Sequence, residues 1–171
     1  MSQSLEATAT VALTPQEAFA LAHTLGADRI AWDGHVEKRM LLRDARRIER
    51  GVQVFERVRD GRRMILEYDV WYPGQVSSNR MVKGPWWLAD YGEGWHFTPV
   101  DGGTRVTWKI AYRHRSPVLA EQMAAAMRVL FRHELDARMA DFAAAALDSG
   151  LVRDALAGEL PRFARHRDRE R

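Results

Sequence analysis

GPWWLADYGEGWHFTPVDGGTRVTWKIAYR, residues 84 to 113, is the stretch from which the fold is read. From Val106 the apolar residues alternate through Trp108, Ile110 and Tyr112, while Arg105, Thr107, Lys109 and Arg113 take the opposite face, as a half-buried strand requires. Before the Asp101-Gly102-Gly103 turn, Trp87, Ala89, Tyr91, Trp95 and Phe97 share one parity, so both arms of a hairpin present aromatic rings to one side. Glu93 falls on that side too.

Working outward, the pattern keeps a period of two on the N-terminal side. Strands are expected near residues 36–43, 47–59, 62–72, 76–83, 87–98 and 104–113, with Asp60-Gly61 and Pro73-Gly74 as turns and Gly84-Pro85 as a break. A first strand alternates Leu5, Ala7, Ala9, Val11 and Leu13. Thr14-Pro15-Gln16-Glu17 then opens a helix, with Thr14 as N-cap, Pro15 at the first helical position and Glu17 closing a capping box. This helix runs to about Leu25-Gly26, and a short piece follows around Asp28 to Trp32. After Ser116-Pro117 the period changes to about 3.6. Leu119, Met123, Met127, Leu130, Phe131, Leu135, Met139, Phe142 and Ala146 form the stripe of a long amphipathic helix ending near Ser149-Gly150.

The chain has 171 residues, enough for one domain with a substantial core. There is no Cys, which excludes a disulfide framework and thiolate chemistry. No apolar run approaches a membrane span and no secretory signal opens the chain, so a cytoplasmic location without integral membrane contact is expected. The formal charge is +3, concentrated at Arg162, Arg165, Arg167, Arg169 and Arg171. The expected division is a domain over residues 1–150 and a solvated basic tail over 151–171. Contact of that tail with anionic lipid or nucleic acid is the alternative, and nucleic acid is not the expected partner.

The order of one strand, two short helices, six antiparallel strands and a long helix resembles the START-like helix-grip superfamily (SRPBCC), the polyketide cyclase/dehydrase and lipid-transport family. The residues that carry the resemblance are the helix start Thr14 to Phe19, the Gly84-Pro85-Trp86 break, Trp95-His96-Phe97 before Pro99, and Asp101 to Thr107 entering the last strand. It spans roughly residues 5 to 147. It implies an α+β helix-grip fold: a curved antiparallel seven-stranded sheet wrapped around a long C-terminal helix, with two short helices after strand 1. It also implies a deep hydrophobic cavity between sheet and helix, and no cofactor is expected. Ser78-Asn79-Arg80 followed by Gly84-Pro85-Trp86 is similar to a run in the tetracenomycin-type polyketide aromatase/cyclases, from which no catalytic triad is transferred.

The expected ligand walls are Trp87, Tyr91, Trp95, Phe97, Trp108 and Tyr112 on the sheet and Met123, Met127 and Phe131 on the helix. Aromatic rings and adaptable methionines suit a flat, irregular hydrophobic molecule. A cavity of at least about 300 Å³ bounded by Trp95, Trp108 and Met127 is expected. By parity alone Lys38, Glu56, Arg80 and Glu93 fall on inward faces. Each must then pair, stay hydrated, meet a polar ligand group, or be turned outward by a bulge such as Gly92 and Gly94 would permit around Glu93. The catalytic candidates are Arg80 to orient a carbonyl, and Glu93, Tyr68 or Tyr72 to move a proton. His133 reads as an exposed helix residue or a base at the cavity mouth. His35, His96 and His114 lack ligand-spaced partners, so no metal site is expected.

Two functions compete on this reading: a carrier of an aromatic, polyketide or isoprenoid-like small molecule, and a cyclase acting on a poly-β-ketone in the same cavity. A non-enzymatic partner of ubiquinone or of a ribosomal surface, using the basic tail, is a third. The protein is expected to be a monomer or homodimer.

Overall fold

A computed structural model describes residues 2–115 and 120–159. Its elements are β1 (Gln3–Val11), α1 (Pro15–Ala22), α2 (Gly26–Trp32), β2 (Val36–Leu41), β3 (Gln53–Val58), β4 (Arg63–Tyr72), β5 (Val76–Lys83), β6 (Leu88–Val100), β7 (Gly103–His114), α3 (Ala120–Ala145) and α4 (Ser149–Glu159). The strands form one antiparallel seven-stranded sheet in the order β1-β7-β6-β5-β4-β3-β2. The first strand joins the last because Leu5 pairs with Ile110 and Val11 with Thr104. This is the helix-grip arrangement, with the sheet curled around α3.

Local chemistry explains the first helix. The Thr14 backbone N–H donates to Glu17 Oε2 at 2.8 Å and the Glu17 N–H donates to Thr14 Oγ1 at 3.3 Å, the reciprocal capping box that the sequence carries. Its apolar face, with Phe19 and Leu21 fully buried, packs on β6 and β7. Along α3, Met127, Phe131, Leu135, Met139 and Phe142 are buried, whereas Leu130 is exposed and leaves the stripe.

Of four register shifts in the sheet, three decide which of the candidate residues face inward, because one inserted residue reverses the alternation beyond it. The shift between Val36 and Lys38 turns Lys38 and Met40 outward and brings Arg39 in. The shift between Tyr68 and Val70 keeps Tyr68 buried, sends Tyr72 to solvent and swings Trp71 toward the helices. The shift between Leu88 and Asp90 buries Leu88 and leaves Trp87 half-buried ahead of the strand. No shift occurs at Gly92 or Gly94, and Glu93 stays inward. Gly92 serves a different purpose: a Cβ there would lie 2.9 Å from the Asn79 carbonyl, so a side chain would push β5 away.

The helix after α3 departs from the expected boundary. Ser149-Gly150 does not end the domain. Asp148 Oδ1 accepts from the Gly150 and Leu151 backbone N–H groups at 2.8 and 3.2 Å, capping α4. Val152 and Ala155 then enter the core as α4 packs on α1. The boundary at residue 150 thus falls inside α4, while Leu119, the Ser116-Pro117 break and the basic stretch Arg162 to Arg171 lie outside the described residues.

Candidate functional site

The concave face does carry the expected rings, and they fill it. Trp95 and Trp108 stack with centroids 4.2 Å apart, Phe142 of α3 lies 5.6 Å from Trp95, and Phe131 contacts Tyr112 and Tyr91 at 4.6 and 5.8 Å. Met127 is buried beside them, while Met123 is only half-buried. Among the described residues no cavity of the expected 300 Å³ is found there. A void of about 10 Å³ remains between Tyr91, Trp108, Phe131, Glu134 and Arg138, about the size of one water molecule.

Ionised side chains occupy much of the rest. Arg138 of α3 donates through Nε and Nη2 to Asp33 Oδ2 at 3.0 and 2.9 Å, and reaches Glu56 and Glu134 at 3.4 Å each. Its guanidinium also lies 4.6 Å over the Trp108 ring. Arg29 of α2 pairs with Asp33 at 2.8 Å and donates to the Ala22 carbonyl at 2.7 Å. On the sheet, Arg39 donates to Glu56 and, at 3.0 Å, to the Tyr68 hydroxyl. Glu93 accepts from the Tyr91 hydroxyl at 2.8 Å and from Asn79 at 3.4 Å. The guanidiniums of Arg29, Arg39 and Arg138 are thus set against the carboxyls of Asp33, Glu56 and Glu93. Burial of isolated charges would cost several kcal/mol each, and pairing offsets it.

The titration behaviour follows from that pairing. Desolvation opposes the charged form of Asp33, yet Arg138 and Arg29 hold its carboxyl well below the usual range. Glu56 is held low against the same burial by Arg39 and Arg138. For Arg138, burial is outweighed by Asp33 and Glu56, which raise its pKa. In Arg29 burial wins, and its pKa falls to about 10 despite Asp33. Burial pushes the Tyr68 phenol up, so it is a neutral hydroxyl at ordinary pH.

Of the catalytic candidates, Tyr68 and Glu93 are brought to the interior. Arg80 and Tyr72 are not. Arg80 sits on the convex face of β5, where it pairs with Glu67 at 2.8 Å with its side chain 65% exposed, because the inward residues of that strand are Ser77 and Asn79. Tyr72 is 61% exposed beyond the β4 bulge. His133 is exposed on α3, and its neighbour Glu134 is the residue that turns inward. The guanidinium that meets Tyr68 belongs to Arg39, one position from the expected Lys38. Asp33, His35 and Asp141 place ligand atoms within 4.8 Å of one another, a grouping that their spacing in the chain does not suggest. The Asp33 carboxylate in it is already flanked by Arg29 and Arg138, whose charges oppose a cation.

Open space lies elsewhere. A cavity of about 410 Å³ opens between the C-terminal end of α1, the β2–β3 loop, the end of β4 and α4. Leu25, Ile48, Trp71, Pro73, Ala20 and Ala155 give it apolar walls, and Asp28, Arg46, Arg47 and Glu49 stand at its mouth. At the inner end His23 is nearly fully buried. Its Nδ1 lies 2.7 Å from the Phe19 carbonyl, which can only accept, so Nδ1 carries the proton and Nε2 accepts from the Ser77 hydroxyl at 2.7 Å. Burial lowers the His23 pKa to about 3. Trp71 meets His23, Phe19 and Tyr68 edge-on at 4.8, 4.7 and 5.1 Å and forms a partition between the cavity and the ion network. Neither His23 nor Trp71 was singled out from sequence. His23 gives no periodic signal at the end of a helix, and Trp71 takes its place only through the bulge.

The sequence profile of the family described as polyketide cyclase / dehydrase and lipid transport matches residues 2–147. The chain belongs to the polyketide cyclase/dehydrase and lipid transport family. No curated protein matches it in sequence. Among solved structures, this family member is similar to the Zhui aromatase/cyclase from a Streptomyces species, with 15% identity over 88% of this chain and 98% of that one and a TM-score of 0.72. A Thermus thermophilus protein aligns with 16% identity, covering 92% of this chain and 100% of that one, at a TM-score of 0.69. A point mutant of norcoclaurine synthase from Thalictrum aligns with 14% identity over 86% and 95% of the two chains, at 0.62. At such identities the likeness is one of fold. Among the described residues of this polyketide cyclase/dehydrase and lipid transport family member, no helix is long and apolar enough to cross a membrane.

Proposed function

We propose that the protein binds a hydrophobic small molecule, of aromatic, polyketide or isoprenoid type, in the cavity between α1, α4 and the β2–β3 loop. The observation that carries this reading is the placement of open volume: about 410 Å³ beside Leu25, Ile48, Trp71 and Ala155, against about 10 Å³ under α3. A cavity of that size suits a molecule of two or three fused rings. Burying about 200 Å² of apolar ligand surface at about 25 cal/mol per Å² gives roughly 5 kcal/mol before association costs, which favours weak to micromolar binding.

Ile48→Trp fills the cavity with a ring while adding no charge. It is expected to weaken binding of a naphthalene-type fluorescent probe at least about tenfold, with the thermal midpoint shifted by only a few degrees. Unchanged affinity would mean that the ligand sits elsewhere. Native mass spectrometry of protein purified from its own host would identify what it retains.

One observation favours a cyclase as the second reading. Tyr68, whose hydroxyl meets Arg39, packs directly behind the cavity walls Leu25, Ile48 and Trp71. A polyketone carbonyl reaching past Trp71 would meet a neutral phenol backed by a guanidinium, a donor suited to enolate charge. For such an enzyme, Tyr68→Phe should slow turnover of a poly-β-ketone at least about tenfold while leaving probe binding intact. A carrier would form no product with either protein.

A further inference from the structure

We propose that the cavity selects an anionic ligand: a flat apolar body bearing a carboxylate or comparable acid group, with that group held at the mouth by Arg46. The inference rests on the cavity being the binding site and concerns what the site recognises.

The inner part of the cavity has no side-chain donor to spare at His23 or Thr24. Both ring nitrogens of His23 are engaged, one with the Phe19 carbonyl and one with Ser77. The Thr24 hydroxyl donates to the Leu21 carbonyl at 3.0 Å and accepts from Trp32 Nε1 at 2.8 Å. A carboxylate or carbonyl pushed to this end would lose its hydration and meet no free side-chain donor in return. The apolar end of the ligand therefore goes in first, and its polar group stays at the mouth.

The mouth carries two cations and two anions, and their pairing leaves the Arg46 guanidinium available. Arg47 pairs with Glu49 at 3.2 Å, so those two charges offset each other. Arg46 has no carboxylate partner among the described residues. The loop from Arg43 to Arg50 holds Arg43, Arg46, Arg47 and Arg50 against Asp44 and Glu49. The opposing charge at the mouth, Asp28, lies in the first turn of α2, where backbone N–H groups offset part of it. A guanidinium fork matches a carboxylate with two parallel donors, which a neutral carbonyl cannot use equally.

The loop is also built to hold its shape. Arg43 and Asp44 adopt φ values of 56° and 57°, a left-handed conformation that non-glycine residues rarely take. Its ends are fixed by Leu42 N–H to the Gln53 carbonyl at 2.9 Å and Gly51 N–H to the Tyr68 carbonyl at 2.7 Å, and Ile48 is anchored in the core between them. The backbone that carries Arg46 is thereby held beside the cavity.

The test compares 2-naphthoate with its neutral methyl ester by fluorescence titration of the full chain, at low salt and at about 0.5 M salt. The acid is expected to bind about fivefold tighter than the ester at low salt, the scale of one partly exposed ion pair, and to lose most of that advantage at high salt. Arg46→Gln should abolish the preference without weakening the ester, and Asp28→Asn should keep or increase it. Equal binding of acid and ester, or a preference that survives Arg46→Gln, overturns the proposal. So does tighter binding of 2-naphthylmethylammonium than of the acid. If Ile48→Trp weakens acid and ester alike but they bind equally, the cavity stands and the charge preference alone falls. If neither probe binds, or Ile48→Trp weakens neither, the cavity reading falls and the preference with it.

Discussion

Arg138→Met is expected to cost about 3 to 5 kcal/mol of folding stability, more than any other single change considered. Methionine replaces the length and much of the volume of the side chain, so the loss is electrostatic rather than a cavity effect. The guanidinium is 1% exposed and serves Asp33, Glu56 and Glu134 from α3 while stacking over Trp108. Without it, Glu56 keeps only Arg39 and Asp33 keeps only Arg29, and the interior carries uncompensated negative charge. A domain of this size has about 5 to 15 kcal/mol in total, so the variant should unfold at markedly lower urea, or fail to accumulate as folded protein. Adding Glu56→Gln restores the balance and should recover a large part of the loss. A single variant within about 1 kcal/mol of the parent, or a double variant less stable than the single, would mean that the charges are not coupled through Arg138.

The second large effect is a dependence of stability on pH. The folded protein holds the His23 pKa at about 3, below its value of 6.5 when exposed. Between those values the unfolded chain binds a proton that the folded one refuses. The neutral imidazole's contribution is therefore fully present above pH 6.5 and is lost as pH falls, with a slope approaching 1.4 kcal/mol per unit. Asp33 and Glu56, both held low, contribute stability that is lost only at lower pH, as it falls from about 4 through their folded values. The window from pH 6.5 to 4.5 isolates the histidine, and urea midpoints there should fall by roughly 2 to 3 kcal/mol in equivalent free energy. His23→Phe with Ser77→Ala removes the titrating group together with its hydroxyl partner, and its stability should be nearly flat over that window. A flat profile for the parent would place His23 in water.

The sequence was most legible where alternation ran unbroken. In β6 and β7 the parity of Tyr91, Glu93, Trp95, Phe97, Trp108, Ile110 and Tyr112 is what the structure has, because twelve or so residues of regular pairing leave no room for a slip. The capping box at Thr14 and Glu17 was equally readable, being a contact between residues three apart. Bulges were not. Those near Lys38 and Asp69 each insert one residue with no glycine to mark it; the first moved the interior cation from Lys38 to Arg39, and the second sent the proton-transfer candidate Tyr72 to solvent and Trp71 inward. In β5 the apolar residues Val76 and Val82 pointed to the wrong face, since the buried side carries Ser77 and Asn79, which are polar because His23 and Glu93 need partners. The position of the cavity was beyond sequence reading altogether. Whether rings stack against each other or stand apart depends on distances between distant segments, and the helix that walls the open side, α4, opens on a Ser-Gly pair that resembles a stop.

The separation of the ion network from the cavity mouth bears on how such a protein can change over generations. Asp33, Glu56, Arg39 and Arg138 share partners, so a substitution at one leaves another charge stranded in the interior, and variation there has to arrive as compensated pairs. Asp28, Arg46 and Glu49 stand in solvent, where a single exchange strands nothing. Ligand preference can therefore drift one residue at a time along the β2–β3 loop while the scaffold beneath stays frozen. Among descendants of this chain the mouth should diversify early and the buried cluster late, and a library aimed at new ligands has its accessible positions in that loop.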